Sequence, residues 1–129
     1  MNTNEFAGKA LDFKHKGYNC CQSVLMACAD FTKLSEQQLV ALGSGFGAGM
    51  GNMEGTCGAL VGAVMAAGFA TRGEGTMRIA RSISDNFKQK CGATICKDLK
   101  GMETGMPLCS CDDCVFNAAV AFCECLPQI

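Results

Sequence analysis

Small residues occupy every fourth position through the most apolar part of the chain. Gly58, Gly62 and Ala66 share one face of a helix, because positions four apart lie one above the other. A face without large side chains lets a second helix approach closely. The apolar run over residues 59–70 is too short to span a bilayer, which needs about 20 residues. We therefore predict a central, buried helix in a helical bundle, and no membrane span.

Apolar spacing predicts further helices on both sides of this one. They cover residues 4–16, 20–29, 77–91 and 114–125, with a short helical turn at 96–100. Ser35 and Gln38 form a capping-box pattern that begins another helix, and Asp112 or Asp113 is expected to cap the last one. No stretch shows the alternation that is typical of a β-strand. The expected fold is all-α, with about five or six helices around the small-residue helix, in one domain over residues 1–129.

Cys57 stands directly before the small-residue helix and after a glycine-rich loop. In this loop glycine alternates with other residues, at positions 43, 45, 47, 49 and 51. Such a backbone can adopt positive φ angles and approach a bound group closely, so the loop either wraps a metal cluster or forms a tight crossing between packed helices. A helix N-terminus stabilises a thiolate, the form that attacks disulfides and binds metals. Cys57 is therefore the first candidate site residue, and Gly55 and Gly58 beside it are candidate cofactor contacts.

Cysteine is unusually frequent, with 11 residues in a chain of 129. This content is typical of secreted, disulfide-rich proteins. The count is odd, however, and the N-terminal residues do not form a signal-peptide pattern. We expect a cytoplasmic protein whose thiols are reduced, metal-bound or catalytic. The formal net charge of −1 argues against nucleic acid as the main partner.

Local charge distinguishes two of the cysteines from the rest. Lys90 directly precedes Cys91, and Lys97 directly follows Cys96. Nearby cations favour the thiolate over the thiol. We therefore expect Cys91 and Cys96 to be more reactive than an average cysteine.

Cysteine spacing identifies no local zinc motif. The chain has a single Cys-x-x-Cys, at Cys111 and Cys114, which is a weak signal without a second pair. His15 is the only histidine, so any site that uses a histidine, such as a Cys–His dyad, would have to use it. Because Lys14 and Lys16 flank it, we expect His15 to be a solvated side chain instead. Three cysteines at apolar helix positions are interpreted as small buried hydrophobic residues: Cys21, Cys28 and Cys123.

Four elements spread along the chain together resemble the C_GCAxxG_C_C family of redox-active proteins. Asn19-Cys20 followed by Gln22-Ser23-Val24-Leu25 resembles the first cysteine of that family, and Cys57-Gly58-Ala59-Leu60-Val61-Gly62 fits its Cys-Gly-Ala-x-x-Gly core. Cys96-Lys97-Asp98-Leu99-Lys100-Gly101 resembles the third cysteine, and Cys114 with Val115 and Ala118-Ala119 resembles the fourth. The order and spacing of the four elements agree with the family pattern.

The resemblance implies a small bacterial or archaeal cytoplasmic protein with four shared cysteines, at Cys20, Cys57, Cys96 and Cys114. These four are the candidate catalytic residues, and they are equally the candidate ligands of an iron–sulfur cluster or zinc. Seven further cysteines depart from the family pattern and leave open which thiols pair. They also leave open whether Cys20 or its neighbour Cys21 takes part.

Three functions remain open on the sequence. The first is thiol redox chemistry, as an oxidoreductase or electron carrier, with Cys57 as the nucleophile and Cys20, Cys96 or Cys114 as the resolving cysteine. The second is metal binding by the four cysteines without catalysis. The third is a helical assembly module in which the small-residue helix forms a homo-oligomer interface. The first two require that Cys57 lies within reach of the other three cysteines, and the redox partner is not identified.

Overall fold

Helices make up most of residues 2–126, the part of the chain that the computed structural model describes. The α-helices are α1 (Thr3–His15), α2 (Cys20–Ala27), α3 (Ala29–Thr32), α4 (Glu36–Gly43), α5 (Gly58–Ala70), α6 (Thr76–Cys91), α7 (Cys96–Leu99) and α8 (Cys111–Cys125). A π-helical turn covers Gly49–Met53. Residues 2–126 contain no strand, only an isolated bridge between Thr56 and Ile95. The all-α prediction is confirmed, and none of the described helices is long and apolar enough to cross a membrane.

The number of helices exceeds the five or six that the sequence predicts. One reason is that Cys28, with φ −92° and ψ 12°, separates the single turn of α3 from the end of α2. Lys33 then ends α3 in a left-handed conformation, with φ 62°. A second reason is the π-helical turn, which lies where the sequence predicts a loop. Both additional elements are single turns, so they add to the count without changing the architecture.

Side-chain caps begin helices α2 and α4. At α4 the Gln38 amide N–H donates to the Ser35 hydroxyl (3.1 Å), and the Gln38 side chain accepts from the Ser35 amide (2.9 Å). This confirms the predicted capping box. Asn19 and Gln22 form the same reciprocal arrangement at the start of α2. The cap of α2 places Cys20 as the first residue of that helix.

The predicted cap of the last helix is wrong. Ser110, not Asp112 or Asp113, is the N-cap of α8, and its hydroxyl accepts a hydrogen bond from the Asp113 amide (3.0 Å). Serine and aspartate both suit an N-cap, so the local sequence allows more than one starting point. With Ser110 as the cap, Cys111 becomes the first helical residue. Cys111 and Cys114 then lie about one turn apart on neighbouring positions of one helix face.

Helix α5 packs against α2, α3, α6 and α8, which confirms its predicted central place. At Gly62 the backbone of α2 comes so close that an added Cβ would lie 2.8 Å from the carbonyl oxygen of Cys21. Ala66, further along the same face, is fully buried. The small-residue face is therefore occupied inside the chain by α2, and this packing brings the start of α2 next to the start of α5.

Candidate thiol site

Cys57 occupies the N-cap position of α5. Its amide N–H donates to the carbonyl oxygen of Thr94 (2.8 Å), and the amide of Cys96 donates to the carbonyl oxygen of Gly55 (3.0 Å). These two hydrogen bonds lie on either side of the isolated β-bridge. The segment that precedes α5 is thus tied to the segment that precedes α7. Cys57 and Cys96 are held on neighbouring stretches of backbone.

A small cavity of about 220 Å³ lies beside this junction. Its lining includes four cysteines, Cys20, Cys57, Cys96 and Cys111, and two lysines, Lys14 and Lys100. Burial opposes the charge on Lys100, but the surrounding cysteines, Cys111 foremost, outweigh burial and raise the pKa of this lysine. The cavity therefore combines several thiols with positive charge that stabilises thiolates.

Two other thiols are the main cause of the lowered pKa of Cys57. Hydrogen bonds from Cys114 and Cys20, in that order of effect, lower the pKa of Cys57 well below its ordinary value of 9.0, although burial opposes them. The backbone amides of Leu60 and Ala59, in the first turn of α5, lower it further. The lowered pKa agrees with the expectation for a cysteine at the start of a helix, but the neighbouring thiols lower it more than the helix amides do. Cys57 is the thiolate of this site.

The pKa of Cys20 depends on two neighbouring thiols, Cys111 and Cys57. A hydrogen bond from Cys111 lowers the pKa of Cys20, but the bond that Cys20 makes to Cys57, together with burial, raises that pKa above 9.0 overall. Cys111 likewise keeps its proton, because its bond to Cys20 and its burial raise its pKa. The cavity thus presents one thiolate, Cys57, beside the protonated thiol of Cys20. A disulfide-forming pair needs this combination of nucleophile and resolving thiol.

A second group of three thiols lies on the other side of Cys57. Cys91 at the end of α6, Cys109 in the loop before α8, and Cys114 in α8 have sulfur atoms within 4.8 Å of one another, and all three are buried. Asn117 donates its side-chain N–H to the Cys91 sulfur at 3.5 Å. A hydrogen bond from Cys114 is the main cause that lowers the pKa of Cys91. Because Cys114 also contacts Cys57, the two groups of thiols adjoin.

The two lysines that flank cysteines in the sequence do not control the thiols as expected. Lys90 and Lys97 instead form ion pairs with surface glutamates. Cys91 does have a lowered pKa, but Cys114 is its main cause. For Cys96 the prediction of a more reactive thiol is wrong, because burial raises its pKa despite the nearby Lys100.

The orientation of α2 places Cys20 and Cys21 in different surroundings. Cys20 lines the cavity, and its sulfur lies against Gly58. Cys21 is fully buried on the other side, in a core cluster with Leu25 and Leu39. Burial raises the pKa of Cys21 to about 12. Cys20 is therefore the cysteine of this pair that belongs to the site.

The two candidate cofactor glycines, Gly55 and Gly58, allow close packing around the thiols. A Cβ on Gly58 would collide with the carbonyl oxygen of Phe46 and lie 2.6 Å from the Cys20 sulfur. A Cβ on Gly55 would lie 2.5 Å from the side chain of Met50. Gly58 therefore has a clear structural role, because only a residue without a side chain lets Cys20 reach the start of α5.

The glycine-rich loop winds against the cavity in a left-handed conformation. Four consecutive residues have positive φ: Ala48, Gly49, Met50 and Gly51. Of the five alternating glycines, only those at positions 49 and 51 adopt a positive φ. A Cβ on Gly49 would collide with the side chain of Cys96, and Ala48 and Met53 line the cavity itself. The loop thus closes one side of the thiol cavity.

Of the four cysteines that the resemblance implies, the structure places Cys20, Cys57 and Cys96 on the lining of one cavity. Cys114 lies outside that lining, in the buried group with Cys91 and Cys109. The sequence did not select Cys91, Cys109 and Cys111 for the site. Two of them had a signal: Cys111 has Cys-x-x-Cys spacing to Cys114, and Cys91 was expected to be reactive because Lys90 precedes it. The lone histidine has another role: His15 forms an exposed pair with Asp112 (2.9 Å).

Stability should rise with pH up to about 9 because of Cys57. Its folded pKa is lowered, so between that pKa and the ordinary value of 9.0 the unfolded chain binds more protons than the folded chain. The free energy of unfolding, measured with urea, should increase across this window by at most about 1.4 kcal/mol per pH unit. Cys57→Ala should remove the slope between about pH 4 and 6, and above that range it should leave only the contribution of Cys91, whose folded pKa is lowered to about 6. Cys28→Ala should keep the wild-type slope, because burial raises the pKa of Cys28 and its effect falls above pH 9. An unchanged slope in Cys57→Ala would mean that Cys57 is protonated when folded.

One family model matches the chain over residues 18–125, and its description reads "Putative redox-active protein (C_GCAxxG_C_C)". The match includes every cysteine discussed above and all helices from α2 to α8. No curated protein and no solved structure matches the chain.

Proposed function

The chain belongs to the C_GCAxxG_C_C family, and we propose that its redox couple is the reversible joining of Cys57 and Cys20 in a disulfide. The position of these two residues carries the proposal: both line the cavity, and the Cys20 sulfur lies 2.6 Å from where a Cβ on Gly58, the residue after Cys57, would be. Cys114 also contacts Cys57, but it is fully buried and is not part of the cavity lining. A small reagent that enters the cavity therefore reaches Cys57 and Cys20 but not Cys114. A cytoplasmic location is part of the proposal, since reduced thiols persist there.

The proposed exchange transfers two electrons from the protein to a disulfide partner. The Cys57 thiolate attacks the partner disulfide, whose S–S bond breaks as a mixed disulfide forms and one partner sulfur leaves as a thiolate. Cys20 then loses its proton and attacks the Cys57 sulfur. This forms the Cys20–Cys57 bond and releases the second partner sulfur. The partner ends as two thiols, and the reverse sequence reduces the protein again.

Lys100 should tune the potential of this couple. Its positive charge stabilises thiolates, which exist only in the reduced form. Lys100→Met should therefore lower the midpoint potential, by about 30 mV for each tenfold change in the equilibrium constant, with a smaller effect at high salt. The control is Lys88→Met, which removes an exposed lysine that is not in the cavity lining. Equal potentials for Lys100→Met and Lys88→Met would show that the cavity lysine has no such role.

A redox titration with matched variants tests the proposed pair. The protein is equilibrated with mixtures of reduced and oxidised glutathione, and its free thiols are counted by alkylation and mass spectrometry. Wild type and Cys21→Ser should each lose two thiols in one transition. Cys20→Ser should lose this transition, although Cys20 is only one position away from Cys21 in the sequence. A transition that persists in Cys20→Ser would refute the assignment of Cys20.

A four-thiolate iron–sulfur or zinc site is the second candidate function. Its support is that Cys20, Cys57 and Cys96 line one space with largely apolar walls, and thiolates suit these metals. Their sulfur atoms would have to move closer together, because within the described part of the chain only Cys91, Cys109 and Cys114 have sulfur atoms all within 4.8 Å of one another. The fourth ligand would be Cys114, as the family pattern implies, or Cys111 in the cavity wall. A bound iron–sulfur cluster would supply one-electron transfer.

Metal analysis distinguishes the second candidate from the disulfide couple. Protein purified without oxygen should contain iron with visible absorption, or zinc, if the cavity holds such a group. Cys96→Ser should then lose the metal. The same variant should keep a Cys20–Cys57 disulfide couple if that couple is the function. Colourless, metal-free protein would exclude the second candidate.

A further inference from the structure

We propose that Cys91, Cys109 and Cys114 form a separate site for a soft metal cation, with zinc as its probe. Cys91 and Cys109 are not among the four cysteines that match the family pattern, and neither lines the thiol cavity. The group is therefore a feature of this chain beyond its proposed redox pair. It shares only Cys114 with the family pattern.

The spacing of the three sulfur atoms suits a zinc ion after a small contraction. All three lie within 4.8 Å of one another. Zinc–thiolate bonds of about 2.3 Å in tetrahedral geometry place sulfur atoms roughly 3.8 Å apart. The group therefore has to close by at most about 1 Å. Side-chain rotation supplies a movement of that size without moving the helices.

The surroundings of the group favour a soft cation. The three thiols are buried, with 3%, 8% and 0% of Cys91, Cys109 and Cys114 exposed. The amide of Asn117 donates to the Cys91 sulfur, an outer hydrogen bond of the kind that orients metal ligands. Asp113 adds negative charge near Cys91 and Cys109. Thiolates select zinc or copper(I) over magnesium or calcium.

Three protein ligands leave the fourth position of a tetrahedral zinc ion open. Structural zinc sites generally have four protein ligands, whereas sites with three hold water or another small molecule at the fourth position. Three elements converge here, the end of α6, the loop before α8 and the first turns of α8. A bound metal would therefore join these elements and stabilise them against unfolding.

Zinc titration of the reduced full chain tests this site. A chromophoric chelator competes for zinc, and the affinities of wild type, Cys109→Ser, Cys20→Ser and Cys21→Ser are compared. The site predicts that Cys109→Ser weakens zinc binding at least tenfold, whereas Cys20→Ser and Cys21→Ser bind as wild type does. Equal binding by Cys109→Ser and wild type would overturn the proposal. A loss of zinc binding in Cys20→Ser alone would also overturn the proposal, because zinc would then be bound in the thiol cavity.

A measurement on wild type keeps the test valid if Cys109→Ser fails to fold. Bound zinc should protect Cys91, Cys109 and Cys114 from alkylation and leave the half-buried Cys125 unprotected. Equal alkylation of Cys109 with and without zinc would overturn the proposal. The outcome is separate from the redox proposal, because Cys109→Ser should keep the Cys20–Cys57 couple and Cys20→Ser should keep the zinc.

Discussion

Replacing Cys57 with serine should abolish the two-electron thiol–disulfide couple, although every other cysteine remains. Cys57 is the thiol whose pKa is lowered by contacts with Cys114 and Cys20. Cys20, Cys111 and Cys114 all have raised pKa values, so none of them replaces it as the thiolate. The expected result is complete loss of the transition in a glutathione titration. The rate of alkylation below pH 8 should also fall sharply, because the thiolate is the reacting form.

The matched control for this experiment is Cys28→Ser. Cys28 is buried, as Cys57 is, but it lies at the end of α2 and burial raises its pKa. This variant should retain the couple and its midpoint potential. If Cys57→Ser and Cys28→Ser behaved alike, whether both kept or both lost the transition, a specific role for Cys57 would be refuted.

Gly58→Ala should strongly destabilise the protein and disturb the proposed redox pair. The added methyl group would collide with the carbonyl oxygen of Phe46, a backbone atom that does not move easily, and crowd the Cys20 sulfur. Overpacking of this kind costs about 1–3 kcal/mol. The measurement is the free energy of unfolding in urea. Because Cys20 has to move away from Cys57, the disulfide should form less readily and the midpoint potential should rise.

Gly8→Ala is the control for Gly58→Ala. Gly8 also lies in a helix, α1, but an added Cβ there has nothing within 4 Å. Alanine is the better helix former, so Gly8→Ala should stabilise the protein by about 0.5–1 kcal/mol. Similar stabilities for the two variants would show that Gly58 is not needed for the approach of Cys20 to α5.

The fold could be predicted from the sequence wherever local signals agree with tertiary packing. Helix α5 has small residues along one face, and this face determines which neighbour packs against it. Helix α4 has a capping box that specifies its start. The start of α8 was missed because Ser110, Asp112 and Asp113 are all good caps. The choice among them depends on which position lets the first turn pack against α1 and the cavity.

The site could be predicted only in part. The placement of Cys57 before α5 is a local feature, and the family pattern supplied Cys20, Cys96 and Cys114. The contact between Cys57 and Cys20 depends on the close crossing of α2 and α5, which the small residues permit. Cys91 and Cys109 meet because the loop before α8 turns back, where the Leu108 amide donates to the Leu99 carbonyl (2.9 Å). No spacing rule in the sequence predicts that the loop before α8 turns back in this way.

Disulfide mapping of the oxidised protein tests the central claim most directly. Reduced protein is oxidised with glutathione for increasing times, trapped by alkylation at low pH and digested, and the linked peptides are identified by mass spectrometry. The first intramolecular disulfide should join Cys20 to Cys57. A first disulfide that joins Cys57 to Cys114, or that forms while Cys57 remains a free thiol, would contradict the proposed redox pair.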